Sequence, residues 1–183
     1  MTAVAYAEKH GLPKPRTMSL MASPIDVSQN PTAVNEAGDK LTPEFMDMVK
    51  FIIPQGYPGA GREVYISPVQ ISMFIMTKPE EHLKNFTNLA FKQTELTIEE
   101  EKELAFYKEY FAGMDLYHEF YAETNTRVFQ ENRWANGKVD FAGEQIDFSE
   151  TTTPLITFEG REDDICGIGQ TKGANNLMTG TKL

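Results

Sequence analysis

Two short β-favouring runs, Met18–Met21 and Leu155–Phe158, constrain this chain most, because they stand far apart and both are nearly continuous in apolar residues. An apolar run of that length, stopped by Pro24 in one case and Gly160 in the other, reads as a strand buried in a sheet covered by helices. Helical sequence flanks them. Thr2–Glu8 has the small and apolar content of a helix and is ended by Gly11, Pro13 and Pro15, while Gln170–Met178 reads as a helix after the second run. The expected fold class is α/β, with two central parallel strands and flanking helices. Two such strands do not make a sheet that covers itself, so the chain reads as a piece of a larger α/β domain, with another strand beginning near its end, at 179–183.

Between the strands lies a long insert of different character, which divides the chain into 1–39, 40–150 and 151–183. Asn30-Pro31 predicts a helix opening with proline at its first position. Thr42-Pro43-Glu44 begins a helix with Phe45, Met48, Val49 and Ile52 at helical spacing, ended by Pro54 and Gly56. Pro68 starts or bends another in Tyr65–Met76, and Pro79-Glu80-Glu81 opens a third with Leu83, Phe86 and Leu89 on one face. Glu99–Glu101 front a long helix, where acids suit the positive end of its dipole. Its stripe of Leu104, Tyr107, Phe111, Met114, Tyr117, Tyr121 and Val128 predicts one continuous apolar face. Val139–Phe148 alternates about Ala142-Gly143 and predicts a small hairpin. The insert reads as a mostly helical cap.

A formal net charge of -10 opposes binding to nucleic acid or to an anionic membrane surface, since neutralising phosphates takes clustered Lys and Arg. One cysteine, Cys166, excludes an internal disulfide and a multi-cysteine metal site. The chain has no long apolar span and no basic-then-apolar leader, and reads as cytoplasmic.

The chemistry concentrates in Thr153–Gly169. Glu162, Asp163 and Asp164 follow the second strand, and the crevice of an α/β sheet lies outside the carboxyl ends of its strands. A carboxylate there can hold a histidine in one tautomer and stabilise its imidazolium; equally, strand-end acids form solvated turns. No Gly-x-Ser-x-Gly or Gly-x-Cys-x-Gly elbow occurs. His118-Glu119 has the opening of a zinc protease motif, but Ala122 occupies the second ligand position, which leaves the polar face of a helix. His10 and His82 have no ligand set near them. Gly167-Ile168-Gly169 with Gly173 lacks dinucleotide-loop spacing, so no cofactor is expected. Cys166 beside Asp163 and Asp164 reads as a packed thiol, because those charges disfavour a thiolate. The aromatic stripe from Tyr107 to Tyr121 serves either core packing or the lining of a channel for an apolar substrate.

Several blocks carry a resemblance: the run 18–27, Asn30-Pro31-Thr32-Ala33-Val34-Asn35, Tyr57-Pro58-Gly59, Arg62-Glu63-Val64-Tyr65, Phe106-Tyr107-Lys108-Glu109-Tyr110, and above all Glu159-Gly160-Arg161-Glu162-Asp163-Asp164-Ile165-Cys166-Gly167-Ile168-Gly169-Gln170-Thr171. The chain resembles intracellular polyhydroxyalkanoate (poly-3-hydroxybutyrate) depolymerases along nearly its whole length. The resemblance implies an α/β-hydrolase fold that cleaves the ester bonds of a stored polyester, with a catalytic order of nucleophile, acid, histidine. It places the acid at Asp163, with Asp164 the runner-up, the nucleophile (Ser or Cys) before Met1 and the histidine beyond Leu183. The insert falls in the cap position, and the implied partner is the polyhydroxyalkanoate polymer or granule surface. Ala22-Ser23 stands where a Gly pair is expected. Two other readings use the same features: a granule-binding module without hydrolysis, and a related polyester synthase. Alone, the chain is expected to be inactive.

Overall fold

A computed structural model describes residues 1–91 and 95–180. The chain forms two compact units, one of Met1–Leu41 with Glu123–Leu183 and one of Thr42–Ala122. The first opens on α1 (Thr2–Lys9), which buries Ala5 and carries Lys9 in its last turn, where a cation suits the dipole. Strand β1 (Met18–Met21) follows. Helix α2 (Ala33–Lys40) begins later than Asn30-Pro31 predicts. Its N-cap is Thr32, whose hydroxyl accepts from Asn35 N at 3.3 Å while Asn35 Oδ1 accepts from Thr32 N at 2.9 Å. That reciprocal box satisfies two backbone donors at the start of α2.

In the Thr42–Ala122 unit, α3 (Pro43–Met48) is capped by Thr42, whose hydroxyl accepts from Phe45 N at 3.2 Å. It stops short of the predicted Ile52. Instead β2 (Phe51–Ile52) pairs antiparallel with β3 (Glu63–Tyr65), because Pro54 forbids further helix and aromatic and β-branched residues suit a strand. Helix α4 (Ser67–Ile75) has Pro68 in its first turn, and α5 (Pro79–Ala90) starts on Pro79. The Thr97–Glu100 box caps α6 (Ile98–Phe111), with Glu100 accepting from Thr97 N at 2.7 Å. The predicted continuous stripe breaks beyond α6. A Cβ at Gly113 would lie 2.7 Å from Ser67 Oγ, and Asp115 Oδ1 accepts from Ser67 N at 2.8 Å, so this segment leaves the helix to cap α4. β4 (Leu116–Tyr117) then joins β3, and α7 (His118–Thr124) restarts the helix.

A π-helical turn, Asn125–Gln130, packs on α2, where Asn125 Nδ2 donates to Gly38 O at 3.0 Å and Gln130 Nε2 to Leu41 O at 2.6 Å. The predicted hairpin forms from β5 (Asp140–Phe141) and β6 (Glu144–Gln145), with Ala142 at φ +51° and Gly143 at φ +85°, as a tight two-residue turn requires. Strand β7 (Leu155–Phe158) pairs parallel with β1 in the register Met18↔Leu155 to Met21↔Phe158. Helix α8 spans only Ala174–Leu177, since Gln170 and Thr171 are held in the turn before it. The expected strand at 179–183 falls mostly on 181–183, outside the described residues.

The fold class is therefore mixed α/β with a small parallel sheet. Its core packs Ala5, Met18, Ile25, Ile146, Phe148, Leu155 and Met178. Glu8 fixes the approach to β7: its carboxylate accepts from Thr152 N at 2.7 Å and Thr153 N at 2.8 Å and pairs with Lys14 Nζ at 2.8 Å. The opposite face of the sheet is open, with Met21 69%, Ile156 49% and Phe158 50% exposed.

Candidate functional site

Because β1 and β7 run parallel, their carboxyl ends leave the sheet on the same edge. The loop after β7 turns tightly there. Asp163 is half-buried, and its Oδ1 accepts from the backbone N–H of Ile165 at 2.8 Å and of Cys166 at 2.9 Å, an Asx turn that fixes the side chain. Among the described residues Oδ2 accepts no hydrogen bond, so one carboxylate oxygen is spent on the backbone and the other is available. Asp164 is exposed. A second carboxylate closes the loop: Glu159 Oε1 accepts from Gly169 N at 2.9 Å and Lys172 N at 2.8 Å. Composition and spacing do not single out Glu159, whose partners lie far along the loop.

The loop after β1 lies against this turn. Ala22 takes φ +43°, the left-handed region where glycine is the unstrained choice. Ser23 N donates to Thr171 Oγ1 at 2.8 Å, Asp26 N to Gln170 O at 3.1 Å, and Asn30 Nδ2 to Ile168 O at 2.6 Å. Asp26 is the hub of its own loop, with Oδ1 accepting from Ser28 Oγ at 2.6 Å and Asn132 Nδ2 at 2.9 Å. Burial would raise its carboxyl, but these donors together outweigh burial and lower it.

Cys166 is buried, with Sγ 3.6 Å from Thr171 Oγ1. Burial pushes the thiol up, the Thr171 hydroxyl opposes this, and the carboxylates of Asp163 and Glu159 push it further up. A thiol so placed packs rather than attacks. None of the histidines hydrogen-bonds to Asp163 among the described residues. His10 meets Glu144 beside Lys9 at the hairpin. His82 Nδ1 lies 3.0 Å from Tyr107 Oη. His118 is not on a polar helix face; it is buried, and its Nε2–H donates to the Met46 carbonyl at 3.1 Å. The described residues hold no group of three or more His, Cys, Asp or Glu able to take a metal ion.

In the Thr42–Ala122 unit the aromatic residues divide. Tyr107 is buried among Phe86 at 4.6 Å, Phe106 at 5.3 Å and Phe111 at 6.2 Å, and Tyr65 stacks on Tyr121 at 3.9 Å. The outer members are open to solvent: Phe106 is 53% and Phe111 52% exposed. Helix α5 buries none of its residues. No helix among the described residues is long and apolar enough to cross a membrane.

A family model described as PHB de-polymerase C-terminus matches residues 22–182. The chain belongs to this family. The match begins directly after β1 and takes in the Asp163 loop, the β1 loop that holds it, and the whole Thr42–Ala122 unit. As a PHB depolymerase C-terminal chain it is related to enzymes that degrade a polyester, and polymer is the corresponding class of partner. No curated protein matches the chain.

Proposed function

We propose that this chain belongs to a polyhydroxyalkanoate depolymerase of α/β-hydrolase architecture and carries the acid of its triad, Asp163. The observation that carries this reading is the state of that carboxylate just past β7: Oδ1 is immobilised by two backbone N–H groups, and Oδ2 accepts no hydrogen bond among the described residues. A carboxylate so held accepts the Nδ1–H of a histidine without moving, fixes the tautomer that leaves Nε2 as base, and stabilises the imidazolium that follows. The nucleophile, in a segment before Met1, attacks the ester carbonyl carbon, and its proton passes to the histidine, supplied from beyond Leu183. The histidine returns that proton to the departing alkoxide oxygen as the ester C–O bond breaks, and that oxygen leaves as a hydroxyl. Water then enters by the same route and releases the hydroxy acid.

Of the insert at 40–150, the Thr42–Ala122 unit serves as the cap, and the exposed aromatic residues of α6 meet the polymer, a neutral and apolar chain that the acidic surface does not repel. The protein then acts in the cytoplasm at the granule surface. The test is Asp163→Asn in the full-length protein, assayed on a soluble 3-hydroxybutyrate trimer. Turnover is expected to fall by about 10³- to 10⁴-fold, because the amide permits the wrong tautomer. Asp164→Asn is expected to stay within about threefold of wild type, as Asp164 is exposed and the amide keeps its size and its acceptor oxygen. The reverse pattern would move the acid by one position.

A further inference from the structure

Behind Asp163 lies a buried amide pair that the triad reading leaves unused. Asn35 is 4% and Gln170 0% exposed, and the two side chains meet at 2.6 Å, Gln170 Nε2 donating to Asn35 Oδ1. Chemistry fixes their orientation. Thr32 N can only donate and the Ile165 carbonyl can only accept, so Asn35 turns Oδ1 to Thr32 N at 2.9 Å and Nδ2 to Ile165 O at 3.1 Å. Gln170 must then present Nε2, which also reaches Asn30 O at 3.3 Å, while its Oε1 is buried without a partner among the described residues. Thr32 Oγ1 adds a second donor to Ile165 O at 3.1 Å.

The carbonyl so gripped belongs to the peptide unit whose N–H is that of Cys166, and that N–H holds Asp163 Oδ1 at 2.9 Å. Donors on the carbonyl side of a peptide polarise its N–H and fix its plane, so hydrogen bonds in series reinforce each other. Resting on the reading of Asp163 as the acid, we infer that Asn35, backed by Gln170, is a positioning residue that sets the direction of the Asp163 carboxylate through the Ile165–Cys166 peptide. The connection spans the loops after both parallel strands, so it locks the acid to β1 as well as to β7.

The full-length protein tests this on the soluble 3-hydroxybutyrate trimer. Asn35→Ala is expected to lower kcat about tenfold with KM within about twofold, since the acid is misdirected but the substrate surface is untouched. Asn35→Asp keeps an acceptor for Thr32 N and Gln170 but has lost the donor to Ile165, and is expected to show the same split; a purely structural role in capping α2 would leave its kcat near wild type. Should the Asn35 variants fail to fold, Thr32→Val is expected to lower kcat about threefold and Thr32→Ser to restore it. Wild-type kcat in folded Asn35→Ala, or in folded Thr32→Val where Asn35 cannot be tested, overturns the positioning role provided Asp163→Asn is inactive. An active Asp163→Asn, or a full-length protein inert on the trimer, overturns the underlying reading instead.

Discussion

At the scale of single residues, carboxylates do the fixing in this protein. Asp163, Glu159, Asp26 and Glu8 each accept backbone N–H groups or side-chain donors rather than merely facing water. For Glu8, burial pushes the carboxyl up, yet Lys14, Thr152 and Thr153 outweigh it and bring it down to about 2 from the usual 4.5. A depressed carboxyl contributes stability that is complete above the unfolded value and disappears as pH falls through the folded one. Glu8→Gln in the full-length protein is therefore expected to lose on the order of 2 kcal/mol at pH 7. The gap between wild type and variant should close between pH 4.5 and about 2. Urea denaturation across that range measures it; a gap independent of pH would mean that packing, not charge, holds the approach to β7. The acids after β7 were visible as residue types, but which oxygen is occupied depends on backbone atoms that a sequence does not locate.

At the scale of elements, the loops beyond β1 and β7 have no room between them. A Cβ at Gly167 would lie 2.0 Å from Asn30 O, a backbone atom that cannot turn aside. Gly167→Ala is expected to destabilise the full-length protein by about 1–3 kcal/mol, read as a lower melting temperature, and to reduce turnover with it. A variant as stable as wild type would show that the loops separate readily. In the other unit, Phe106 and Phe111 are half-exposed members of an aromatic cluster whose centre, Tyr107, is buried. Changing both to Ser in the full-length protein is expected to cut sedimentation with amorphous poly-3-hydroxybutyrate particles by about tenfold, at roughly 1.4 kcal/mol per tenfold, and to leave trimer hydrolysis near wild type. Equal sedimentation would remove α6 from the polymer surface. Periodicity located α5 and α6, with Pro79 marking the start of the one and the acids Glu99–Glu101 the front of the other. It missed the break at Gly113 because the partner that forces it, Ser67 at the start of α4, is distant in sequence.

At the scale of the molecule, β1 and β7 make a two-stranded parallel sheet with one face packed and Met21, Ile156 and Phe158 open on the other. Parallel sheets are stable when both faces are covered, and unpaired strand edges invite association. The 183 residues expressed by themselves are expected to bind a hydrophobic dye and to associate as concentration rises. Monomeric, sharply cooperative unfolding, followed by light scattering and circular dichroism together, would contradict that expectation.

Local chemistry alone determined much of this protein. The two apolar runs are strands, Ala142-Gly143 turns a hairpin, Pro79 and the Thr97–Glu100 box begin helices, and Asp163 stands just beyond a strand end, because each depends on neighbours within a few residues. Tertiary structure alone decided the rest. The parallel register of β1 with β7, the use of Glu159 and Asp26 as loop anchors, the burial of His118 and the contact of Asn35 with Gln170 all join residues distant in sequence. Those pairings arise when the chain satisfies its buried polar groups in three dimensions, an accounting that has no period to read along the sequence.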